Sequence, residues 1–243
     1  MNAAASIPAR QYSAMVLGAT GNVGRRIVQL LAGSPQCGHV LVVTRRPALA
    51  LPDAKVTEVI VNMDHLEADL APHARGIDIA LAAFGVGKGS ASMPDDEVRQ
   101  IEIGYPLAFL RAAKAAGARV AGVMTAVGAS PHSRAKYVRV IGEKEVAAES
   151  VGFEFLGLYR PAVILGNSNT PGVLNTLMPL LHWAMPSKYH SIHKNDIARA
   201  MVAQSEQALA ALATAGAPRA AVVKRLEYGD MQPFFVPGDH LDS

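Results

Sequence analysis

The sequence predicts an α/β protein with a Rossmann-type doubly wound parallel sheet and a small C-terminal cap. In the first half of the chain, short β-branched runs alternate with longer stretches of helical periodicity. A glycine-rich turn separates the first predicted strand from the first predicted helix. The 243 residues, half of them hydrophobic, suffice for one well-buried domain but not for two large ones. We therefore expect a flexible leader over residues 1–12 and a single NAD(P)-binding domain over residues 13–243, with cap elements at about 166–215.

Strands are predicted wherever a short apolar, β-rich run is bounded by turn residues. Helices fall between them, and Gly117 and Gly152 are expected to end two of these helices. Pro106 should bend or split the longest one. The predicted strands are Ala14 to Leu17, His39 to Thr44, Val56 to Val61, Ile77 to Ala83, Arg119 to Thr125, Phe153 to Tyr159 and Ala220 to Leu226. The predicted helices are Asn22 to Ala32, Pro94 to Ala116, Ala135 to Val151, Leu174 to Met185 and Asn195 to Ala213.

Composition argues against several classes of partner. The net charge is only +3 and basic residues alternate with acidic ones, so a nucleic-acid partner is not expected. The single cysteine excludes an internal disulfide, and no histidines have a supported metal-ligand spacing, so no metal site is predicted. No apolar run reaches the roughly 18 residues of a membrane span, and no secretory signal is evident. We expect a cytoplasmic protein that acts on a small molecule, with a homodimer left open.

The glycine-rich turn is Gly18-Ala19-Thr20-Gly21-Asn22-Val23-Gly24. Gly18 is expected to allow the tight turn after the strand, Gly21 the approach of the pyrophosphate, and Gly24 the close packing of helix and strand. The N-terminus of the helix would offer N–H groups and a positive dipole to the phosphates. These residues, with Thr20, Asn22 and Val23 between the glycines, predict a dinucleotide site.

The end of the second strand indicates which dinucleotide is bound. An NAD site normally has a carboxylate there that accepts hydrogen bonds from the ribose 2′-hydroxyl, whereas this chain has Arg45 and Arg46. Two guanidinium groups could hold the 2′-phosphate of NADP(H). The alternative is a pair of solvated turn arginines before Pro47. We favour NADP(H) as the cofactor.

The ends of the third and fourth strands supply further candidate contacts, because ligands bind at the carboxyl ends of such strands. Asp64 follows the third strand and could reach the adenine amino group. Ala83, Phe84 and Gly85 follow the fourth strand, where small residues would let the backbone run beside the nicotinamide ribose.

With the glycine loop in place, the chain resembles the atypical short-chain dehydrogenase/reductase superfamily. The likeness extends to Thr125-Ala126-Val127-Gly128-Ala129, to Tyr137 with Gly142-Glu143-Lys144-Glu145, and to Leu158-Tyr159-Arg160-Pro161. Within the superfamily it is similar to the NAD(P)H-binding branch of the HIV Tat-interacting protein and its bacterial relatives. The resemblance implies an NADPH-binding protein in which Thr125 and Tyr137 are the catalytic candidates, and it adds Thr125, Tyr137 and Pro161 to the expected cofactor contacts.

This chain departs from the family at one residue of the catalytic machinery. A tyrosine hydroxyl exchanges a proton with the substrate oxygen, a lysine four residues later lowers the tyrosine pKa and holds the ribose, and a serine or threonine polarises the substrate. This chain has Ile141 at the lysine position. Lys144 is about two helical turns from Tyr137 and is not expected to replace it. Tyr137 is then either a proton donor or a residue that packs near the nicotinamide. Glu102 lies inside the long predicted helix, where relatives tend to carry an acidic residue, and a solvated helix face explains it equally well.

The sequence therefore favours an NADP(H)-dependent oxidoreductase with a non-standard active site that reduces a small carbonyl or quinone-like substrate. One alternative is a catalytically degenerate NADPH-binding regulator or assembly factor, which Ile141 supports. A sugar-nucleotide epimerase or dehydratase is a third possibility, less favoured because such enzymes are usually longer and also use the missing lysine.

Overall fold

The computed structural model describes residues 11–48, 53–86, 92–166, 185–214 and 220–236. Nine strands lie within these ranges, and every strand of the earlier prediction is present with ends shifted by up to two residues. The strands are β1 (Tyr12–Leu17), β2 (Cys37–Thr44), β3 (Val56–Ile60), β4 (Ile79–Ala82), β5 (Val120–Met124), β6 (Phe155–Tyr159), β7 (Ile164–Leu165), β8 (Ile192–His193) and β9 (Val222–Leu226).

Seven of these strands form one parallel sheet in the order β3-β2-β1-β4-β5-β6-β9. The chain winds outward from β1 in one direction and from β4 in the other, so the strand order reverses between these two neighbours. Strands β7 and β8, which the sequence analysis did not predict, form a separate two-stranded sheet. The doubly wound Rossmann-type fold predicted from the sequence is confirmed, and its reversal point is where such sheets bind dinucleotides.

Alternating side chains along the strands build a hydrophobic core on each face of the sheet. In β1, Val16 joins the core on one face and Met15 joins the core on the other. Ile27 covers the first core and Phe109 covers the second. The central strands of the sheet are therefore buried under helices on both faces, as is typical of parallel sheets, whereas the edge strands β3 and β9 are largely exposed.

The described helices follow the predicted pattern closely. The long predicted helix starts and ends as expected but contains a π-helical turn, Gln100–Gly104, immediately before Pro106. Proline has no N–H to continue the regular ladder, so the interruption occurs where the sequence predicted one. The helices are α1 (Asn22–Gly33), α2 (Leu66–Leu70), α3 (Asp95–Arg99), α4 (Tyr105–Ala115), α5 (Lys136–Ser150), α6 (Lys194–Thr214) and α7 (Tyr228–Met231). None of the helices described is both long and apolar enough to cross a membrane.

Two predicted boundaries differ from the structure. The sequence predicts a leader over residues 1–12, of which 1–10 lie outside the described part. Tyr12, however, already belongs to β1, and its ring is buried. The sequence predicts cap elements at about 166–215, of which 167–184 lie outside the described part, and the predicted helix Leu174 to Met185 lies there except for its last residue. Helix α6 falls within that range, yet it packs beside α1 and contributes Ile197 and Met201 to the core of the sheet. Helix α6 therefore belongs to the helical layer of the domain.

Candidate cofactor site

The glycine loop has the geometry predicted for it. Gly18 has φ of +92°, and a Cβ there would lie 2.3 Å from the carbonyl oxygen of Ala83. A Cβ on Gly24 would lie 2.0 Å from the carbonyl oxygen of Gly18, while the N–H of Gly21 donates to that same oxygen at 2.9 Å. The turn off β1 and the close packing of α1 against it are thus confirmed as features that only glycine allows.

Helix α1 begins at Asn22 without a side-chain cap. Its N-cap is Gly21, and its first turn contains no acidic residue. Thr20 is exposed on the turn, whereas Val23 is buried beneath it. The positive end of a 12-residue helix therefore lies at the reversal point of the sheet, which suits a pyrophosphate.

Arg45 and Arg46 are exposed in the turn that follows β2. The carboxylate of Glu58 shapes this turn, since its Oε1 accepts from the Thr44 hydroxyl at 2.9 Å and from the Ala48 N–H at 3.1 Å. Within the described ranges, no carboxylate forms an ion pair with either arginine. A fixed turn with two unneutralised guanidinium groups is what a 2′-phosphate needs.

Asp64 lies beside a residue that the sequence did not single out. The hydroxyl of Tyr105, at the start of α4, donates to Oδ1 of Asp64 at 3.1 Å, and the Tyr105 ring meets Phe84 edge-on with centroids 6.4 Å apart. Burial and the Asp64 carboxylate raise the pKa of Tyr105, against a smaller opposite effect of the Arg45 charge. Tyr105 thus joins the ends of β3 and β4. In the sequence, only its aromatic side chain directly before Pro106 could have indicated that Tyr105 belongs to the site.

Tyr137 lies in the first turn of α5, and 42% of its surface is exposed to solvent. Partial burial of its hydroxyl and the nearby Glu102 carboxylate raise its pKa to about 12. Ile141, one turn further along the helix, is only 1% exposed. The tyrosine is therefore accessible and protonated at neutral pH, with an apolar residue where the family has its lysine.

Lys144 and Glu102 are both buried, which sequence reasoning did not foresee. The Lys144 ammonium donates to the carbonyl oxygen of Phe84 at 2.9 Å and pairs with Oε2 of Glu102 at 3.1 Å. The other Glu102 oxygen accepts from the Val86 N–H at 2.8 Å. Glu102 is 2% exposed, so the alternative of a solvated helix face is wrong.

Thr125 is buried at the end of β5, and its hydroxyl is used inside the protein. Its Oγ1 lies 2.9 Å from Oε1 of Glu145 and 3.1 Å from the carbonyl oxygen of Tyr159, and both are acceptors. Arg160 donates to the same Glu145 carboxylate at 2.8 Å. A hydroxyl has one hydrogen to donate, so in this arrangement Thr125 cannot polarise a substrate oxygen.

Pro161 is buried behind this network, and its carbonyl oxygen accepts from the Val127 N–H at 3.0 Å. Ala83 is buried as well, with its N–H donating to the Leu17 carbonyl at 3.0 Å, and this bond joins the end of β4 to the end of β1. The predicted contact residues from the ends of β1 through β6 thus lie along one edge of the sheet. Their contacts with a cofactor remain predictions.

A Rossmann-type sheet with a glycine turn, an uncapped helix and polar side chains at one edge defines a dinucleotide-binding protein. The model of a family described as NAD(P)H-binding matches residues 18–154, more than half of the chain. The chain therefore belongs to this NAD(P)H-binding family.

Relatives of known name agree with this membership. Protein fmp52, mitochondrial, from Aspergillus niger is 31% identical over 155 residues, which are 62% of this chain and 66% of the fungal protein. Protein HTATIP2 from Rattus norvegicus is 27% identical, over 63% of each chain. The chain thus spans slightly less than two thirds of these relatives' length.

Solved structures agree in fold. A short chain dehydrogenase from Burkholderia cenocepacia in complex with NADP has a TM-score of 0.61 and 16% identity, with 92% of this chain and 91% of that chain covered. MoeE5 in complex with UDP-glucose and NAD has a TM-score of 0.62 and 15% identity, with 88% of this chain and 76% of that chain covered. At these identities the likeness concerns the fold alone.

Proposed function

We propose that this protein is an NADP(H)-dependent oxidoreductase that delivers hydride from the nicotinamide to a small carbonyl or quinone-like acceptor beside Tyr137. The observation that carries the proposal is the half-exposed Tyr137 side chain, whose phenol is affected by the charge of the Glu102 carboxylate that also binds the segment after β4. That segment forms one wall of the crevice between β1 and β4 in which a dinucleotide lies.

The cofactor would supply the hydride, and Tyr137 would supply the proton. As negative charge develops on the substrate oxygen, the phenol donates its hydrogen to that oxygen. With its pKa raised to about 12, Tyr137 stays protonated and is suited to reduction rather than to removing a proton from an alcohol. Since a proton donor need not be ionised, loss of the family's lysine would slow the reduction without forbidding it.

Preference for NADP(H) over NAD(H) rests on Arg45 and Arg46. We expect NADPH to bind more tightly than NADH, and Arg45→Ala or Arg46→Ala to weaken NADPH binding by about ten- to a hundredfold, as charge-assisted hydrogen bonds do. Arg75→Ala is the matched control, because Arg75 is also exposed but precedes β4, at the opposite edge of the sheet. Unchanged preference in both variants would refute the assignment.

Turnover itself is tested with purified protein, NADPH and a panel of aldehydes, ketones and quinones. We expect oxidation of NADPH that depends on the acceptor and falls by about a hundredfold or more in Tyr137→Phe, the range of general acid catalysis. NADPH binding without oxidation by any acceptor would contradict the proposal.

A second candidate is an NADPH-binding regulator or assembly factor that carries out no turnover. It is favoured by the burial of Ile141 and by the internal use of the Thr125 hydroxyl. Ile141→Lys distinguishes the two, with Ile141→Met as the control for loss of the branched side chain. A gain of reductase activity in the lysine variant alone supports a weakened enzyme, and NADPH-dependent capture of a protein partner with no gain supports the regulator.

The compartment is a separate prediction. We propose that the protein is cytoplasmic. The fungal relatives carry "mitochondrial" in their names, which is a statement about those proteins. Microscopy of the tagged full chain would decide between the two compartments.

A further inference from the structure

The segment Phe84–Val86, which follows β4, is held from below by two buried charges. Lys144 of α5 donates to the Phe84 carbonyl at 2.9 Å, and Glu102 of the π-helical turn accepts from the Val86 N–H at 2.8 Å. The two side chains pair with each other at 3.1 Å and are 3% and 2% exposed. Three parts of the chain that are distant in sequence therefore meet at this pair.

Local structure is adapted to the pair on both sides. A Cβ on Gly85 would lie 2.7 and 2.9 Å from the two Glu102 oxygens, so only glycine lets the carboxylate sit against this backbone. Glu102 itself lies in the π-helical turn Gln100–Gly104. Such turns are rare in helices and often occur at functional sites.

A buried ion pair is a weak source of stability, because desolvation of the two charges offsets their attraction. This pair instead gives the segment after β4 one fixed backbone position, since it binds a carbonyl and an N–H two residues apart. The segment follows β4 where the strand order reverses, the place where such sheets bind dinucleotides, and the charge of Glu102 that holds it also acts on the Tyr137 phenol.

We infer that Lys144 and Glu102 are positioning residues of the cofactor site, which hold Phe84–Val86 where the nicotinamide half of the dinucleotide lies. The inference rests on the proposed function. In the family, this helix presents a lysine to the ribose. In this chain, the buried Lys144 of the helix instead fixes the segment Phe84–Val86 beside the expected position of that ribose. Neither residue touches the reacting atoms, and both act through the backbone they hold.

The test compares two probes on the full-length protein. NADPH reaches both halves of the site, whereas 2′,5′-ADP carries only the adenosine half and its phosphates. The double variant Lys144→Met/Glu102→Gln removes both buried charges together, so no charge is left unpaired in the interior and folding is retained. Glu102→Gln is the second variant, and Glu154→Gln is the matched control, because Glu154 pairs with Arg119 at the opposite edge of the sheet.

We expect both Glu102 variants to bind NADPH about tenfold more weakly, because the segment must then be ordered on binding. Binding of 2′,5′-ADP should be unchanged, and Glu154→Gln should bind both probes like the wild type. Equal losses for the two probes, or no loss for either, would overturn the inference. Failure of the wild type to bind NADPH would instead contradict the proposed function, so the two failures are distinguishable.

Discussion

Replacement of Gly24 by alanine tests the geometry on which the cofactor site depends. Alanine is favoured over glycine inside a helix by about 1 kcal/mol, so propensity alone predicts stabilisation. The new methyl group, however, would lie 2.0 Å from the Gly18 carbonyl oxygen and 2.6 Å from its carbon. Helix α1 and the turn must then separate by more than an ångström, and the N–H groups at the start of the helix move with it.

We expect the clash to outweigh the propensity gain, with a net loss of about 1–3 kcal/mol in the free energy of unfolding. For a domain of this size that corresponds to a melting temperature lower by about 2–12 °C. NADPH affinity should fall by at least about tenfold, because the phosphate-binding N–H groups are displaced. Thermal unfolding and titration with NADPH measure the two effects separately.

Gly33→Ala is the matched control in the same helix. Gly33 is the last residue of α1, has no positive φ, and has nothing within 4 Å of an added Cβ. This variant should be neutral or more stable by about 0.4–1 kcal/mol, with unchanged NADPH binding. If Gly24→Ala unfolds at or above the wild-type temperature and binds NADPH equally well, the close packing of Gly24 does not shape the site.

Three further predictions follow from the buried groups. The pH profile of reductase activity should show no step from ionisation of Tyr137 between about pH 6 and 9, because the pKa of Tyr137 is raised to about 12. A loss of activity centred near neutral pH that disappears in Tyr137→Phe would contradict this expectation. Arg160→Ala should cost about 1.5–3 kcal/mol by chemical denaturation, because it removes the nearer guanidinium partner of the 4% exposed Glu145 carboxylate and leaves that of Arg225, 3.7 Å away. Glu154→Gln, in a pair 32–39% exposed, should cost less than about 1 kcal/mol. Burial and a hydrogen-bonded carboxylate raise the pKa of Tyr12 above the 10.0 of a free tyrosine. The protonated phenol therefore stabilises the fold fully below about pH 10, and this stabilisation falls as the pH rises further. The free energy of unfolding of Tyr12→Phe should fall less at alkaline pH, and a pH dependence identical to that of the wild type would refute the assignment.

The sequence by itself determined the features that depend on local order. Periodicity and turn residues predicted the strands of the parallel sheet, because the side-chain repeat of each element reflects which face it buries. The spacing of Gly18, Gly21 and Gly24 predicted the turn, since φ and close packing are set within a few residues. Arg45 and Arg46 were predicted to be exposed at the end of β2 because topology fixes where that strand ends.

Only the tertiary structure decided how distant polar groups are paired. Glu102 and Lys144 are 42 positions apart, Tyr105 and Asp64 are 41 apart, and Thr125 and Glu145 are 20 apart. From the sequence, each of these side chains could equally be exposed to solvent or buried in a hydrogen bond. The pattern of apolar residues indicates which of them are buried, but it does not indicate that a charged residue is buried with its partner. The burial of the Thr125 hydroxyl and the placement of the lysine beneath the segment after β4 follow from packing between helices. The fold and the cofactor class therefore come from local sequence, while the arrangement around Tyr137 comes from contacts that only folding creates.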